Sequence, residues 1–191
     1  FDAMKKFPGL RLAAVQGGQF DNVICSRCDA AVAVPAGMET AFEEFVRAYD
    51  AILKNEYAGC DDGITLSCGA ADVTSAVSAA DTSVMLHVLV ALPQGVQAMS
   101  VDFPGLVQTS LNMGVLRLKE DGLHVTFSIR SCIASQKEML AQRVRAIVEF
   151  AGGTVTERGK YPGWQYERQS KFRDMVLEAY HDLTGKEGVV E

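Results

Sequence analysis

The sequence predicts an α+β fold in which an antiparallel sheet carries helices on one face. Two patterns support this prediction. Short β-rich runs are separated by turn residues, most clearly on either side of Asp121-Gly122. Other stretches have apolar residues at every third or fourth position, as in amphipathic helices. Strands joined by tight turns pair in an antiparallel way, so helices packed on an antiparallel sheet are the expected architecture.

The composition fits one ordinary domain or two small ones and excludes several classes of protein. The chain has 191 residues, of which 48% are hydrophobic and 22% charged. These values exclude collagen, low-complexity disorder and a coiled coil. The central apolar run over 84–92 is too short to cross a bilayer, so no membrane partner is expected. A formal charge of −6 argues against a nucleic-acid partner, which requires clustered Lys and Arg.

The N-terminal half predicts a pair of strands, a helix and a third strand. A loop over 19–27 joins the first two strands, and Pro35 ends the second. The helix is one-sided, and Gly59 follows its end. The expected bounds, in chain order, are strands 10–16 and 28–34, helix 38–53 and strand 64–73.

Serines mark the starts of three helices in the rest of the chain. Ser78 is followed by Asp81, Ser135 forms a capping box with Glu138, and Ser170 precedes the last amphipathic stretch. The expected elements are helix 78–92, loop 94–105, hairpin strands 106–118 and 123–133, a helix from 135 that ends at Gly152, a short strand 154–158 and helix 170–184.

The order of these elements nearly repeats and is related to the ferredoxin-like arrangement. The first half lacks the helix that opens the second half. The chain begins at Phe1 instead of a methionine, and a strand is expected to begin at Val189-Val190, just before the last residue. We therefore expect a piece of a longer protein.

Cys25 and Cys28 form the motif that a search for metal or redox sites finds first. A zinc ribbon needs a second pair at matching spacing, and Cys60, Cys68 and Cys132 do not supply one. A redox pair belongs at a strand-to-helix turn, whereas this pair runs into a strand. We interpret all five cysteines as structural. An odd number, with no recognisable signal peptide, indicates a reducing compartment, and we expect a cytoplasmic location.

The three histidines, His87, His124 and His181, form no zinc-like pattern with one another or with acidic residues. The sequence also lacks a Gly-x-Ser-x-Gly elbow, a phosphate loop, a dinucleotide fingerprint and a His-Glu-x-x-His motif. A thiol enzyme built on Cys60 and His87 has no supporting spacing. Taken alone, the residues indicate a scaffold.

Arg130 and Asn112 are the polar residues with a candidate role. Val125, Phe127 and Ile129 alternate on one face of a predicted strand, which places Arg130 on the opposite face near the strand end. A guanidinium there could present its fork to a carboxylate. The residues alone favour an ordinary surface arginine. Asn112 lies on or beside the partner strand and could share the site.

Two neighbouring strings carry a family resemblance: Leu-Pro-Gln-Gly-Val-Gln-Ala-Met-Ser at 92–100 and Gly-Leu-Val-Gln-Thr-Ser-Leu-Asn-Met-Gly at 105–114. With the motifs below, they resemble the aminoacyl-histidine dipeptidases, also called Xaa-His dipeptidases, peptidase D or bacterial carnosinases. The match runs in order from about residue 10 to the end. The supporting motifs are Gly17-Gly18, Asp21-Asn-Val-Ile24, Cys28, Ile129-Arg-Ser131 with Ser135, Tyr161-Pro-Gly-Trp164 and the helix from Ser170 to Leu183-Thr-Gly-Lys-Glu187. Several positions over 21–28 depart from the family pattern.

The resemblance implies a two-domain, metal-dependent exopeptidase acting on Xaa-His dipeptides. In such enzymes a catalytic domain holds two zinc ions, and an inserted lid domain caps the site, supports a homodimer and supplies substrate-binding groups. The chain corresponds to the lid over 1–160, followed by a turn and helix over 161–191 that lead back to the catalytic domain. The family's metal-binding motifs are absent from the sequence, so this fragment alone is expected to be inactive and to bind no zinc.

The resemblance also assigns substrate-binding roles. Arg130 matches the lid arginine that is expected to bind the C-terminal carboxylate of the dipeptide. Asn112 matches a family asparagine, for which the resemblance implies a substrate role less directly. The alternative is a free-standing binding or oligomerisation module that reuses this fold without catalysis. A parent reading frame that continues into zinc-ligand motifs on both sides supports the enzyme, and a start codon just before Phe1 supports the module.

Overall fold

The computed structural model describes residues 1–190. Within these residues, five helices and five strands form an α+β arrangement, which confirms the predicted fold class. Their bounds are α1 (Asp2–Lys6), β1 (Arg11–Gly17), β2 (Cys28–Ala33), α2 (Glu39–Glu56), α3 (Ala79–Ala91), β3 (Gly95–Met99), β4 (Val107–Lys119), β5 (Gly122–Ser131), α4 (Ala134–Phe150) and α5 (Lys171–Thr184).

The strands form one sheet in the order β2-β1-β4-β3, and β5 also pairs with β4. The pairings of β1 with β2, β1 with β4 and β3 with β4 are all antiparallel. Strand β1 pairs with β2 from Arg11 opposite Ala33 to Gly17 opposite Cys28, with an irregularity between Leu12 and Ala14. The hairpin of β4 and β5 turns at Glu120-Asp121, as the Asp-Gly sequence predicts.

The described chain forms two compact units. Unit 1 comprises 1–93, 112–128 and 144–155, and unit 2 comprises 94–111, 129–143 and 156 onward. Elements β4, β5 and α4 each contribute residues to both. The boundary expected near residue 160, between a lid and a following turn and helix, stays a prediction.

The core of unit 1 is built around Phe7, whose residue surface is only 1% exposed. Its ring meets the rings of Phe42 and Phe45 edge-on, with centroids 5.4 and 5.7 Å apart. Strand β1 contributes the buried side chains of Leu12 and Val15. The contacts with Phe7 cover part of the apolar face of α2, where Val46 is buried and Phe42 and Phe45 are half-buried, which fits the one-sided pattern of that helix.

Helix α3 is tied to β1 by a buried hydrogen bond. Thr82 is fully buried, and its hydroxyl accepts from the backbone N–H of Leu12 at 3.0 Å. At the start of the helix, the Ser78 hydroxyl accepts from the N–H of Asp81 at 3.0 Å, which confirms the predicted cap. The cap predicted for α5 is also present, because Ser170 accepts from the N–H of Arg173 and Gly185 closes the helix in the left-handed conformation.

Unit 2 has a smaller core in which a polar side chain is buried among apolar ones. Leu111 on β4 and Leu140 on α4 are each 1% exposed, and Thr109, two residues before Leu111, is 2% exposed. A buried hydroxyl requires hydrogen-bond partners, and Thr109 has them in Ser131 and Gln136.

The strand predicted over 64–73 is wrong, because the segment is irregular. The N–H of Leu66 donates to the Asp50 carboxylate at 2.6 Å instead of to a neighbouring strand. Ser67, Gly69 and Ala70 offer little apolar surface to bury, so nothing draws the segment into the sheet.

The loop predicted over 94–105 is also wrong in part, because it contains β3. This strand lies at the edge of the sheet and pairs irregularly with β4, with Val96 opposite Ser110 and Ala98 opposite Thr109. Val96 is 54% exposed, so the strand has no alternating apolar pattern to mark it. Its pairing with β4 is a tertiary interaction that local sequence does not encode.

Four further predictions fail near the helices and the chain ends. Residues 154–158 are irregular, with the Val155 carbonyl accepting from the Arg145 guanidinium at 3.4 Å. Helix α4 begins at Ala134, so Ser135 lies inside its first turn and not at the cap. The first half does open with a helix, the five-residue α1, and Val189-Val190 are not part of a strand. Among the described residues, no helix is long and apolar enough to span a membrane.

Replacing Phe7 with Ala should lower the free energy of unfolding by about 3–5 kcal/mol, because a large ring is lost from a closely packed cluster. Chemical denaturation of the chain measures the effect. Phe150→Ala is the matched control, since Phe150 is 96% exposed and its loss should cost less than about 0.5 kcal/mol. Equal losses for the two variants would contradict the assignment of Phe7 to the core.

Candidate carboxylate-binding site

Arg130 is the penultimate residue of β5 and is exposed, whereas Ile129 before it is half-buried. Arg130 is thus exposed near the strand end, although the expected alternation does not show in the burial of 125–129, which are all half-buried. Among residues 1–190, no side chain or carbonyl hydrogen-bonds or ion-pairs with its guanidinium. An arginine in this state keeps its planar fork of N–H donors available to an external carboxylate.

The end of β5 next to Arg130 is held by a set of polar side chains from three elements of unit 2. The hydroxyl of Ser131 lies 2.8 Å from that of Thr109, and Thr109 donates to Gln136 Oε1 at 2.5 Å. Gln108 Nε2 donates to the same oxygen at 2.9 Å. The sequence interpretation missed this set, since its members lie on different elements and only the fold brings them together.

The segment Tyr161-Pro-Gly-Trp164 packs against the same strand end. A Cβ on Gly163 would lie 2.5 Å from the Ser131 carbonyl oxygen, so only glycine permits this approach. The Lys137 ammonium donates to the Tyr161 carbonyl and lies 5.6 Å from the centre of the Tyr161 ring. Trp164 is 91% exposed. Unit 2 thus exposes a cation, Arg130, near the end of β5. It also exposes the rings of Tyr161 and Trp164 on the segment that packs against this strand end.

Asn112, the second predicted site residue, has a different environment in unit 1. Its Nδ2 group donates to the carbonyls of Asp21 and Val23, both at 2.9 Å. Both amide hydrogens are therefore used to hold the loop between β1 and β2. The structure brings Asn112 to this loop, and a role in substrate binding stays a prediction. An asparagine inside a strand itself indicates a specific role for its side chain, since this residue type is depleted in strands.

The same loop is clamped by neighbours of Asn112. A Cβ on Gly114 would lie 2.4 Å from the carbonyl oxygen of Phe20, so the loop crosses β4 where there is no side chain. The Arg117 guanidinium donates to the carbonyls of Gly17 and Gly18 at the start of the loop. Residues 112–117 of β4 thus hold the loop between β1 and β2 in its conformation.

The sulfurs of Cys25 and Cys28 approach each other at Gly17. A Cβ on Gly17 would lie 3.0 Å from Cys28 Sγ and 3.4 Å from Cys25 Sγ. Although the Cys28 residue is exposed as a whole, its sulfur is shielded there. This burial, together with the charges of Cys25 and Asp29, raises the pKa of the Cys28 thiol, against a smaller opposing effect of Arg117. A protonated thiol is a weak nucleophile and a weak metal ligand, in line with a structural role.

The histidines are engaged in local contacts. His87 Nδ1 lies 2.7 Å from the Ser83 carbonyl, His124 Nε2 lies 2.8 Å from the Asp121 carboxylate, and His181 Nε2 lies 3.7 Å from the Glu187 carboxylate. Within residues 1–190, no group of three or more His, Cys, Asp or Glu side chains could hold a metal ion. A zinc site needs at least three protein ligands, so the described residues do not fit one.

Comparison with known proteins places the chain beside dipeptidases. It is 32% identical over 178 residues to the cytosol non-specific dipeptidase of Escherichia coli (strain K12), a match that covers 93% of the chain and 37% of the relative. It also matches the crystal structure of the aminoacylhistidine dipeptidase from Vibrio alginolyticus with a TM-score of 0.88 and 28% identity, over 96% of the chain and 38% of that protein. No family model matches the chain.

These matches confirm the resemblance to aminoacyl-histidine dipeptidases. The chain spans less than two fifths of the length of either relative, in agreement with a partial domain of such an enzyme. The structural match extends over nearly the whole chain.

Replacing Asn112 with Ala should lower the free energy of unfolding by about 1–3 kcal/mol, because the carbonyls of half-buried Asp21 and exposed Val23 both lose their donor. Hydrogen exchange should show faster exchange of amides over 18–27. Asn55→Ala, at an exposed position of α2, serves as the control and should change neither quantity. Unchanged exchange in the loop of the Asn112 variant would contradict the loop-holding role.

The thiol of Cys28 should react more slowly with iodoacetamide at neutral pH than that of the exposed Cys68. The raised pKa of Cys28 leaves little thiolate at neutral pH, and its own rate should keep increasing as the pH is raised beyond the usual range of a thiol. Mass spectrometry of peptides after timed alkylation measures both rates. Faster alkylation of Cys28 than of Cys68 at neutral pH would show that the thiol is activated instead of suppressed.

Proposed function

We propose that the chain forms the lid of a metal-dependent dipeptidase and that Arg130 binds the C-terminal carboxylate of the dipeptide. The observation that supports this proposal best is the exposed guanidinium of Arg130, which has no partner among residues 1–190, in a chain similar to dipeptidases over nearly its whole length. An enzyme that releases a single C-terminal residue must recognise a free carboxylate. Arginine suits this task better than lysine, since its fork makes two parallel hydrogen bonds.

The substrate class follows the names of the relatives. One is an aminoacylhistidine dipeptidase and the other a non-specific dipeptidase of the cytosol. We take Xaa-His dipeptides as substrates of the intact enzyme, a homodimer as its assembly and the cytoplasm as its location. Asn112 is kept as a second substrate-binding residue, which would use its Oδ1 because its Nδ2 hydrogens are engaged by the loop.

Zinc belongs to the intact enzyme in this proposal. The described residues do not fit a metal site, so residues other than these would hold the ions. The contribution of this chain is recognition of the dipeptide by Arg130 and closure over it.

A free-standing binding module is the second candidate, favoured by the same lack of a metal-ligand group in residues 1–190. Such a module could use Arg130 to bind a carboxylate without hydrolysing anything. The parent gene separates the two candidates, because the enzyme requires a reading frame that encodes zinc ligands outside this chain.

Replacing Arg130 with Ala in the full-length protein should raise KM for an Xaa-His dipeptide about tenfold to hundredfold, since a charge-assisted hydrogen-bonded pair is lost. The value of kcat should change little, because the carboxylate is bound equally in ground and transition states. Arg130→Lys should restore part of the affinity. Steady-state kinetics and zinc content, which should stay constant, measure the outcome.

The matched control is Arg143→Ala, which removes an exposed arginine of α4 and should leave KM unchanged. A dipeptide with an amidated C-terminus provides a second control, since it has no carboxylate for Arg130 to bind. An unchanged KM in the Arg130→Ala enzyme would exclude the proposed role.

A further inference from the structure

The residue that follows Arg130 is anchored by a network that reaches α4. Thr109 donates its hydroxyl hydrogen to Gln136 Oε1, and its oxygen lies 2.8 Å from that of Ser131, whose own hydroxyl donates to the Ile133 carbonyl at 3.0 Å. Gln136 Oε1 also accepts from Gln108 Nε2. These two hydrogen bonds use both lone pairs of the Gln136 oxygen. Gln136 Oε1 is therefore the acceptor that Thr109 and Gln108 share.

The centre of the network is buried, so water does not replace a hydrogen-bond partner that is lost there. Thr109 is 2% exposed and lies two residues before the fully buried Leu111, facing the same side of β4. A buried hydroxyl without its acceptor costs about 1–3 kcal/mol. Loss of the Gln136 side chain should thus turn the Thr109 hydroxyl toward Ser131 Oγ, its other neighbour, and so rearrange the hydrogen bonds of Ser131, which is bonded to Arg130 along the chain.

Backbone contacts show why such a movement would displace Arg130. Ser131 Oγ accepts from the N–H of Ile133 at 3.0 Å, and the N–H of Cys132 donates to the Gln108 carbonyl at 3.3 Å. The turn from β5 into α4 is therefore built on Ser131 and Gln108, both members of the network. Arg130 itself has no bond to a described side chain that would hold it in place independently.

We propose that Gln136 is a positioning residue for Arg130: through Thr109 and Ser131 it holds the end of β5 so that the guanidinium meets the substrate carboxylate as a bidentate pair. The inference rests on the proposed function, since it requires that Arg130 binds that carboxylate. Bidentate pairing depends on position and angle at two hydrogen bonds together, so a small shift of the strand end weakens both.

The test uses the full-length dipeptidase and Gln136→Leu, which keeps the side-chain bulk and removes the acceptor. We expect KM for an Xaa-His dipeptide to rise about tenfold with little change in kcat, the pattern of lost ground-state binding. Gln136→Glu retains oxygens that accept from Thr109 and Gln108, so it should restore most of the affinity. Gln142→Leu, at an exposed position of the same helix, is the matched control and should leave KM unchanged.

A double-mutant cycle with Arg130→Ala identifies the route of the effect. If Gln136 acts through Arg130, Gln136→Leu should have no further effect on KM once Arg130 is absent. An equal rise in KM with and without Arg130, or an unchanged KM in Gln136→Leu, would overturn the inference while the role of Arg130 stands. An unchanged KM in Arg130→Ala would instead overturn the proposed function, and the inference with it.

A second variant covers the case in which Gln136→Leu does not fold. Gln108 is half-buried, and Gln108→Ala removes one donor to Gln136 without unpairing the buried Thr109 hydroxyl. It should raise KM in the same direction by a smaller factor and should also lose its effect in the Arg130→Ala background. A Gln108→Ala enzyme with the KM of the unmodified protein would contradict the network's role.

Discussion

The pairing of β4 with three other strands is the constraint on which the rest of the structure depends. Strand β4 is 13 residues long and pairs with β1, β3 and β5. A strand with neighbours on both sides has its backbone groups satisfied and its register determined by several partners at once. Each side chain on it is consequently held at a defined position.

Two polar residues of β4 use this rigidity for different purposes. Thr109 is buried and carries hydrogen bonds from the end of β5 to Gln136. Asn112 supports the loop between β1 and β2 through two carbonyls. Apolar side chains could fill the same space, but they could not satisfy these groups, because buried polar atoms require partners. The short sequence around Thr109 and Asn112 therefore determines these hydrogen bonds, in addition to supporting the family resemblance.

Arg130 differs from these residues in having its donors uncommitted among residues 1–190. An uncommitted, exposed arginine is ordinary on a protein surface, and its interest comes from what surrounds it. The strand end that bears it is anchored on one side by the Thr109 network and is packed on the other against Gly163. Such support is what a recognition residue needs, because a rigid base reduces the entropy lost when a ligand is bound.

Local sequence determined the elements with strong patterns of their own: β1, the β4–β5 hairpin, the amphipathic α2 and the capped helices α3 and α5. It also placed Arg130 near the end of β5, since the hairpin turn that positions this strand is a local feature. Tertiary structure alone decided that 95–99 joins the sheet and 64–73 does not, because pairing and burial depend on distant partners. The same holds for Asn112 and Gln136, whose partners lie 27 or more residues away in sequence and are brought within hydrogen-bonding distance only by the fold.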